Sequence, residues 1–175
     1  MQRSQTVCDV LKELVVEYHM EDNFELVYVY AGHGKNGAVF EEIPAQFIKA
    51  NQYKILKSPG LVQNLAKGDV IEITGKAEHP IVISRGGNFC IQMYFPTKID
   101  LNKLSLDIKL KLNGTLDSAN EDVCSFSIPS SNGMNKINQY FTELKDETQV
   151  EWYYANIYKN IDNPSDETLL NWWNE

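Results

Sequence analysis

The stretch SSNGMNKINQYFTELKDE, residues 130–147, decides how the second half of the chain folds. Its apolar side chains recur at helical spacing on one face, namely Met134, Ile137, Tyr140, Phe141 and Leu144. Such a face predicts an amphipathic helix that packs on a sheet. The segment VEWYYANIY, residues 150–158, follows directly and is rich in aromatic residues, which predicts a strand.

Working back from this helix, the sequence predicts a hairpin in TLDSAN and DVCSFSIP and a strand in NFCIQMYF, residues 88–95. The stretch between them, residues 97–114, fits two interpretations. Its apolar residues can be read at helical spacing, as Leu101, Leu104, Ile108 and Leu112, or as a strand-like alternation, as Leu104, Leu106, Ile108, Leu110 and Leu112. We favour a helix, capped by Asp100 and ended near Gly114.

The resulting order over residues 88–158 is β-α-β-β-α-β, which is that of a ferredoxin-like unit. Right-handed crossovers would place two helices on one face of a four-stranded antiparallel sheet. A last short helix is predicted in ETLLNWWNE, capped by Ser165 or Asp166. We therefore predict a second domain over residues 88–175.

The first domain is predicted over residues 1–87. Residues 5–20 place six apolar side chains on one helical face, which are Val7, Val10, Leu11, Leu14, Val15 and Tyr18. Short strand patterns punctuated by Gly and Pro follow, with an interruption expected at Pro44, and they predict a small bent sheet or half-barrel. The fold class is α+β, and we expect the two halves to pack together.

The composition is that of a globular protein, with 175 residues, 43% hydrophobic and 23% charged. No apolar run reaches the ~18 residues that a membrane span needs, and the N-terminus lacks the apolar core of a signal peptide. The three cysteines, Cys8, Cys90 and Cys124, each lie in an apolar pattern. We therefore expect buried free thiols and a cytoplasmic protein without a membrane partner.

Charge is distributed unevenly along the chain. Residues 1–116 hold 13 acidic and 13 basic side chains, whereas residues 117–175 hold 11 acids and only 3 bases, so the net charge of −8 belongs to the last third. An acidic surface repels phosphates, which argues against a nucleic-acid partner. It attracts a basic protein and speeds the encounter, although a solvated acidic surface is the plainer interpretation.

The sequence shows no constellation that would define an active site or a cofactor site. The three histidines, His19, His33 and His79, have no metal-site spacing, and no nucleophile motif or P-loop is present. Glycines in GHGKNG, residues 32–37, match a dinucleotide-binding pattern, but no helix pattern follows, so a hairpin turn is expected. We predict no catalytic residue, no metal and no cofactor.

The segment Arg85-Gly86-Gly87-Asn88 is the first candidate site. Paired glycines permit a close backbone approach, and the fork of Arg85 suits a carboxylate or phosphate. One interpretation is a domain junction in which Arg85 pairs with an acid of the other half. The other is an anion or small-ligand pocket at Arg85 and Asn88, as in a sensor or enzyme with its site between the halves.

The acidic, aromatic C-terminal third is the second candidate site. Core packing explains much of its aromatic content, but aromatic residues ringed by acids are also typical of protein interfaces. The candidate partner-binding residues are Glu143, Asp146, Glu147, Glu151, Tyr153, Trp172 and Trp173. The leading hypothesis is a cytosolic inhibitor of immunity type that neutralises a toxin, for example a basic nuclease, by occluding its active site.

Three segments resemble an uncharacterised bacterial family known only by a domain-of-unknown-function label. They are residues 53–73 with SPG and GDV, residues 84–95 with RGGN, and residues 150–173. The resemblance covers residues 24–173 and supports a ferredoxin-like second half. It implies no activity and assigns no functional residue.

Overall fold

The computed structural model describes residues 24–163 and 165–174, so the helix predicted over residues 5–20 lies outside the described residues. Over these residues the fold is α+β, with two helices and two antiparallel sheets. The first sheet comprises β1 (Glu25–Gly34), β2 (Gly37–Lys49), β3 (Gln52–Ile55), β4 (Val70–Glu72) and β5 (Ile81–Ser84), and each strand pairs with its neighbour in sequence.

The predicted interruption at Pro44 is wrong, because β2 runs through it. Pro44 lies opposite Leu26 of β1, and its carbonyl accepts the N–H of Leu56 at 3.0 Å. Proline removes one backbone donor but keeps its acceptor, and its fixed φ is compatible with a strand. The pairing therefore continues on both sides of this residue.

The second sheet has the strand order β7-β8-β6-β9. In chain order its elements are β6 (Asn88–Tyr94), α1 (Leu101–Leu112), β7 (Thr115–Ala119), β8 (Val123–Pro129), α2 (Met134–Thr148) and β9 (Glu151–Tyr154). A 3₁₀ turn, Ser130–Asn132, precedes α2. Apolar residues from both helices and from this sheet form one buried core, which includes Phe89, Ile108, Phe126, Ile137 and Phe141.

The ambiguous stretch is helical. Asp100 caps α1 by accepting the N–H of Lys103, and Leu104, Ile108 and Leu112 are buried at helical spacing. Asn113, not Gly114, takes the left-handed conformation at the C-terminal end, with φ 51°. The alternation suggested a strand because Leu106 and Leu110 are also apolar, but both point into solvent.

The short C-terminal helix is not formed as predicted, and β9 ends earlier than residue 158. Within residues 165–174 the structure has a 3₁₀ turn, Trp172–Asn174, in place of the predicted helix. The backbone groups that a helix over residues 167–171 would use bind the chain at residues 157–159 instead. Asp166 does accept the N–H of Thr168, as a cap would, but Leu169 then forms a bridge with Tyr158.

Residues 56–69 connect β3 to β4 and lie between the two sheets. Val62 and Leu65 pack with the buried residues of the first sheet, whereas Ala66 packs with Cys90 and Ala155 on the second-sheet side. The layers of the molecule are therefore helices, second sheet, this connecting segment and first sheet. No helix among the described residues is long and apolar enough to cross a membrane.

Candidate functional site

The side of the second sheet that faces the connecting segment is polar yet buried. Its buried polar residues are Gln92, Ser125 and Ser127, and we call them, together with Ser58 and Asp117, the seam. Ser58 Oγ lies 2.7 Å from Ser127 Oγ, and the Ser58 N–H donates to Asp117 Oδ2 at 2.7 Å. Ser125 Oγ donates to the Ser58 carbonyl at 2.7 Å. These bonds satisfy groups that burial would otherwise leave unpaired.

Gln92 extends the seam to β9 and to the connecting segment. Its Nε2 donates to the Pro59 carbonyl at 3.1 Å, and its Oε1 accepts from Gln63 Nε2 at 3.0 Å and from the Tyr153 hydroxyl. Tyr153 thus points to the seam side of the sheet. Burial raises the pKa of Tyr153, because the phenolate would lose hydration there.

Glu41 of β2 holds the connecting segment from the other side. Its carboxylate accepts three successive backbone N–H groups, from Gly60 at 2.7 Å, Leu61 at 2.9 Å and Val62 at 2.9 Å. A single side chain therefore satisfies backbone donors that have no partner in a strand or helix. The sequence gives no signal for this role, because Glu41 reads as one of many charged strand residues.

Arg85 pairs with a carboxylate, but the expectation that this acid comes from the other half is wrong. Nη1 donates to Asp69 Oδ2 at 3.0 Å and to the Asn64 carbonyl at 2.8 Å, and Nη2 donates to Asn64 Oδ1. Asp69 is fully buried and also accepts the N–H of Gly86 at 2.8 Å. Burial raises the pKa of Asp69, against the opposing effects of Arg85 and of this N–H.

The link from Arg85 to the second half is aromatic. Its guanidinium lies 5.6 Å from the centre of the Trp172 ring, which is within cation–π range. The donors of the Arg85 fork are therefore taken up by groups of the first half, and the guanidinium also contacts Trp172 of the second half. Asp69 and Arg85 both belong to the first half of the chain. They meet because Asp69, at the end of the connecting segment, lies beside Arg85, which directly follows β5.

Gly86 and Asn88 have structural explanations. A Cβ on Gly86 would overlap the backbone of Gly68, so the two chain segments cross at a distance that only glycine permits. Asn88 Nδ2 donates to the Lys67 carbonyl at 2.9 Å, and the Asn88 carbonyl accepts from Asn156 Nδ2 at 3.0 Å. The RGGN segment therefore contacts both the connecting segment and the second half, and it holds the two halves together.

Cys90 and Cys124 are free and buried, as the sequence predicts, and Cys8 lies outside the described residues. Burial raises the pKa of Cys90 well above its ordinary value and that of Cys124 to about 12. Both are therefore protonated at neutral pH, and a thiol is a weak nucleophile. Within residues 24–163 and 165–174, no group of three His, Cys, Asp or Glu side chains is placed to hold a metal ion.

The predicted partner-binding residues fall in three places. Trp172 and Trp173 are half-buried and pack on Phe89, with ring centroids 5.1 and 5.5 Å away. The indole of Trp172 also donates to the Asn156 carbonyl at 2.9 Å. Tyr153 lies on the opposite side of the second sheet, at the seam. The two tryptophans and Tyr153 therefore do not share one surface.

The four acids, in contrast, lie together where α2 ends and β9 begins, and we call this region the acidic corner. Glu143, Asp146 and Glu147 are exposed on the last two turns of α2. Glu151 pairs with Lys145 at 2.6 Å, and Glu143 accepts from Gln139 at 2.9 Å. Lys145 is the sole base in the last turn of α2, so the corner keeps a negative charge.

A cavity beside the C-terminal segment was not expected from the sequence. It measures about 460 Å³. Its lining combines three tyrosines, three side-chain amides, two carboxylates and two aliphatic residues, which are Tyr153, Tyr154, Tyr158, Gln63, Asn160, Asn163, Asp166, Glu167, Ala155 and Ile161. No lysine or arginine lines it, so the local charge is negative. The sequence could not reveal it, because residues 155–163 and 165–167 follow an irregular path.

These features define an α+β protein in which two antiparallel sheets enclose a polar seam. The chain belongs to the family described as a domain of unknown function, DUF4265, whose sequence model matches residues 41–152. The expected resemblance to an uncharacterised family is thereby confirmed.

One solved structure with a similar fold is described as a novel crystal structure of a hypothetical protein from Neisseria gonorrhoeae. The two chains are 16% identical, with a TM-score of 0.56, and the match covers 76% of this chain and 93% of the other. This likeness concerns the fold alone. No functionally curated protein matches the chain.

Proposed function

We propose that this chain is a cytoplasmic protein-binding inhibitor of immunity type, which neutralises a basic toxin, such as a nuclease, by occluding its active site. The observation that carries the proposal is the acidic corner. Acids in the last turns of a helix oppose its macrodipole, so Glu143, Asp146 and Glu147 do not stabilise α2. A basic partner would gain association rate from this field.

The cavity beside the C-terminal segment supports the same class of partner. Tyrosine faces and the carboxylates of Asp166 and Glu167 suit a cationic side chain, because both attract positive charge. Trp172 and Trp173 contribute less than the sequence suggested, since both rings already pack on Phe89. In this proposal the acidic side chains contribute more to the partner surface than the aromatic side chains do.

The alternative, a small-ligand sensor or enzyme with its pocket near Arg85, has weaker support. An anion site needs free donors, whereas Arg85 already donates to Asn64 and Asp69. The 460 Å³ cavity is lined by other residues, with carboxylates in place of donors of positive charge. We therefore prefer the protein-binding function.

We also infer a ferredoxin-like second domain and a half-barrel first domain. The order β-α-β-β-α-β and the sheet order β7-β8-β6-β9 support the former. Register shifts in the first sheet, between Tyr30 and Gly32 and between Phe47 and Lys49, support the latter, because such bulges bend strands. Both assignments leave the acidic corner at one end of the second sheet.

The experiment begins with capture of the partner from native bacterial cytoplasm on the immobilised wild-type chain. Association is then measured by stopped flow for the triple variant Glu143→Lys, Asp146→Lys and Glu147→Lys. Glu151 is left unchanged because it pairs with Lys145. We expect the association rate constant to fall by one to three orders of magnitude. The wild-type rate should also fall as salt rises past ~0.15 M.

The matched control reverses three exposed acids of the first half, Glu25, Glu42 and Glu78, with the same change in net charge. Its association rate should stay within about threefold of wild type if the effect is local. Equal slowing by both triples, or a wild-type rate insensitive to salt, would remove the electrostatic argument. Failure of an equimolar mixture to suppress the activity of the captured protein would exclude inhibition.

A further inference from the structure

The outer side of the first sheet, which faces away from the connecting segment, carries several large apolar side chains that are exposed. In β1, Val27 and Val29 are buried on the inner side, so alternation directs Leu26 and Tyr28 outward, where they are 54% and 64% exposed. Register extends this surface, which we call the outer face, to further exposed side chains, namely Phe24, Phe40 and Ile81. An apolar patch of this kind marks a contact surface.

The outer face is also concave. A cavity of about 500 Å³ lies on it, lined by Tyr28, Phe40, Asn51, Ile73, Thr74, Gly75 and Lys76. Charged side chains of both signs share the outer face, because register places Glu42 opposite Tyr28 and Glu72 opposite Ile81, and Lys54 lies on the same side of β3. The outer face therefore suits an amphipathic occupant better than one with a strong charge of a single sign.

The chain supplies such an occupant immediately before β1. The segment of residues 5–20 carries its apolar residues on one predicted helical face, with Asp9, Glu13 and Glu17 largely off it. As a helix it would be ~24 Å long, close to the ~19 Å width of five strands. Only residues 21–23 separate it from Phe24, and their reach of ~10 Å keeps it beside β1.

We propose that the segment of residues 5–20 docks its apolar face on the outer face of the first sheet. Helix on sheet is a standard way to bury both apolar faces. The tether favours this occupant over a second copy, because a short linker gives an effective concentration in the millimolar range. The proposal is independent of the inhibitor function.

Cys8 provides the probe. It precedes Leu11 by three residues and Val15 by seven, so it shares their face. Cys90 and Cys124 are buried and stay silent on the time scale of a fast thiol reaction. The experiment measures the rate of thiol–disulfide exchange at Cys8 in the full chain, with a synthetic peptide of residues 1–23 as the unprotected reference.

We expect Cys8 of the full chain to react at least tenfold more slowly than Cys8 of the peptide. The double variant Leu26→Glu with Tyr28→Glu should bring the rate to within about threefold of the peptide, because carboxylates on the outer face oppose apolar docking. The matched control, Leu106→Glu with Leu110→Glu, changes two exposed leucines of α1 and should react as wild type does.

Three results would overturn the proposal. The first is a Cys8 exchange rate in the wild-type chain equal to that of the peptide, and the second is the same slow rate in the Leu26→Glu with Tyr28→Glu variant as in wild type. The third is a slow rate that is lost on dilution in a protein that is shown to be a dimer. The last would assign the outer face to a second copy. A photoreactive benzoylphenylalanine in place of Tyr28 gives a test that does not depend on the double variant. Cross-links should map within residues 5–20 of the same chain, and cross-links elsewhere would contradict docking.

Discussion

The two sheets of this protein differ in how they are covered. The second sheet has helices on one side and the connecting segment on the other, whereas the first sheet is covered by described residues only on its inner side. Of the fifteen exposed large hydrophobic side chains among the described residues, ten precede residue 88. Exposed apolar side chains are therefore concentrated in the first half of the chain, whereas the net negative charge lies in the last third.

This difference limits what strand alternation reveals. In the second sheet, Gln92, Ser125 and Ser127 alternate with apolar residues as on a solvated strand, yet all three are buried. In the first sheet, Leu26 and Tyr28 are apolar yet exposed. A polar residue in a strand can thus belong to a buried hydrogen-bond network. An apolar residue in a strand can be exposed where no other layer of the described structure packs on that side of the sheet.

The largest expected effect contrasts the covered core with the outer face. Phe89→Ala removes a fully buried ring that contacts Tyr154, Trp172 and Trp173, and it should cost about 3–5 kcal/mol of unfolding free energy. Tyr28→Ala should cost less than Phe89→Ala but more than a fully solvated side chain would, because in our proposal residues 5–20 cover a ring that the described residues leave 64% exposed. Denaturant unfolding of both variants measures the contrast.

Equal costs for these two substitutions would contradict the distinction between a covered and an open sheet. Leu110→Ala, at a side chain 76% exposed on α1, gives the baseline for a large apolar residue in solvent.

The next largest effect on stability is expected at Arg85, which contacts both the connecting segment and Trp172 of the second half. Arg85→Ala leaves the buried Asp69 without its cation and removes the contact with Trp172, so it should cost about 1–3 kcal/mol. Arg85→Lys should recover only part of this, because an ammonium cannot reproduce the fork that holds Asn64. If the unfolding free energy of Arg85→Ala equals that of wild type, Arg85 contributes no more to stability than an ordinary surface side chain.

The smallest effect concerns the pH dependence of the seam. Burial raises the pKa of Asp117, although Ser127 and the Ser58 N–H donate to its carboxylate. A raised pKa means that the folded state binds the proton more readily than the unfolded state, so this group adds stability as pH falls toward the unfolded pKa of ~3.9. Between pH 7 and 4, wild type should therefore gain unfolding free energy relative to Asp117→Asn.

Parallel pH profiles for wild type and Asp117→Asn would show that the seam carboxyl titrates as in the unfolded chain. Asp122→Asn, at an exposed turn, serves as the control for loss of a carboxyl outside the seam.

Much of the secondary structure could be predicted from periodicity. The face of Ile137, Phe141 and Leu144 identified α2, and apolar runs identified the strands, because these patterns are local. The C-terminal helix could not be predicted, since the backbone of Thr168 and Leu170 bonds to Lys159 and Ile157, which depends on tertiary placement.

The candidate sites were predictable only in part. Arg85 was recognisable from its neighbouring glycines, but its partner Asp69 was not, because pairing across a connecting segment depends on tertiary placement. The acids of α2 were found from charge alone. Glu41, Gln92 and Asp117 were missed, since a polar residue in a strand has the same appearance in sequence whether water or protein satisfies it.

The seam also bears on synthesis. Ser58 and Ser127 are 69 residues apart, whereas every strand of the first sheet pairs with its neighbour in sequence. A chain emerging from the ribosome can thus pair β1 to β5 before the seam residues of β7 and β8 exist. Until then, the backbone groups of Ser58 can bond only to water, because their partners Asp117 and Ser125 have not yet been synthesised.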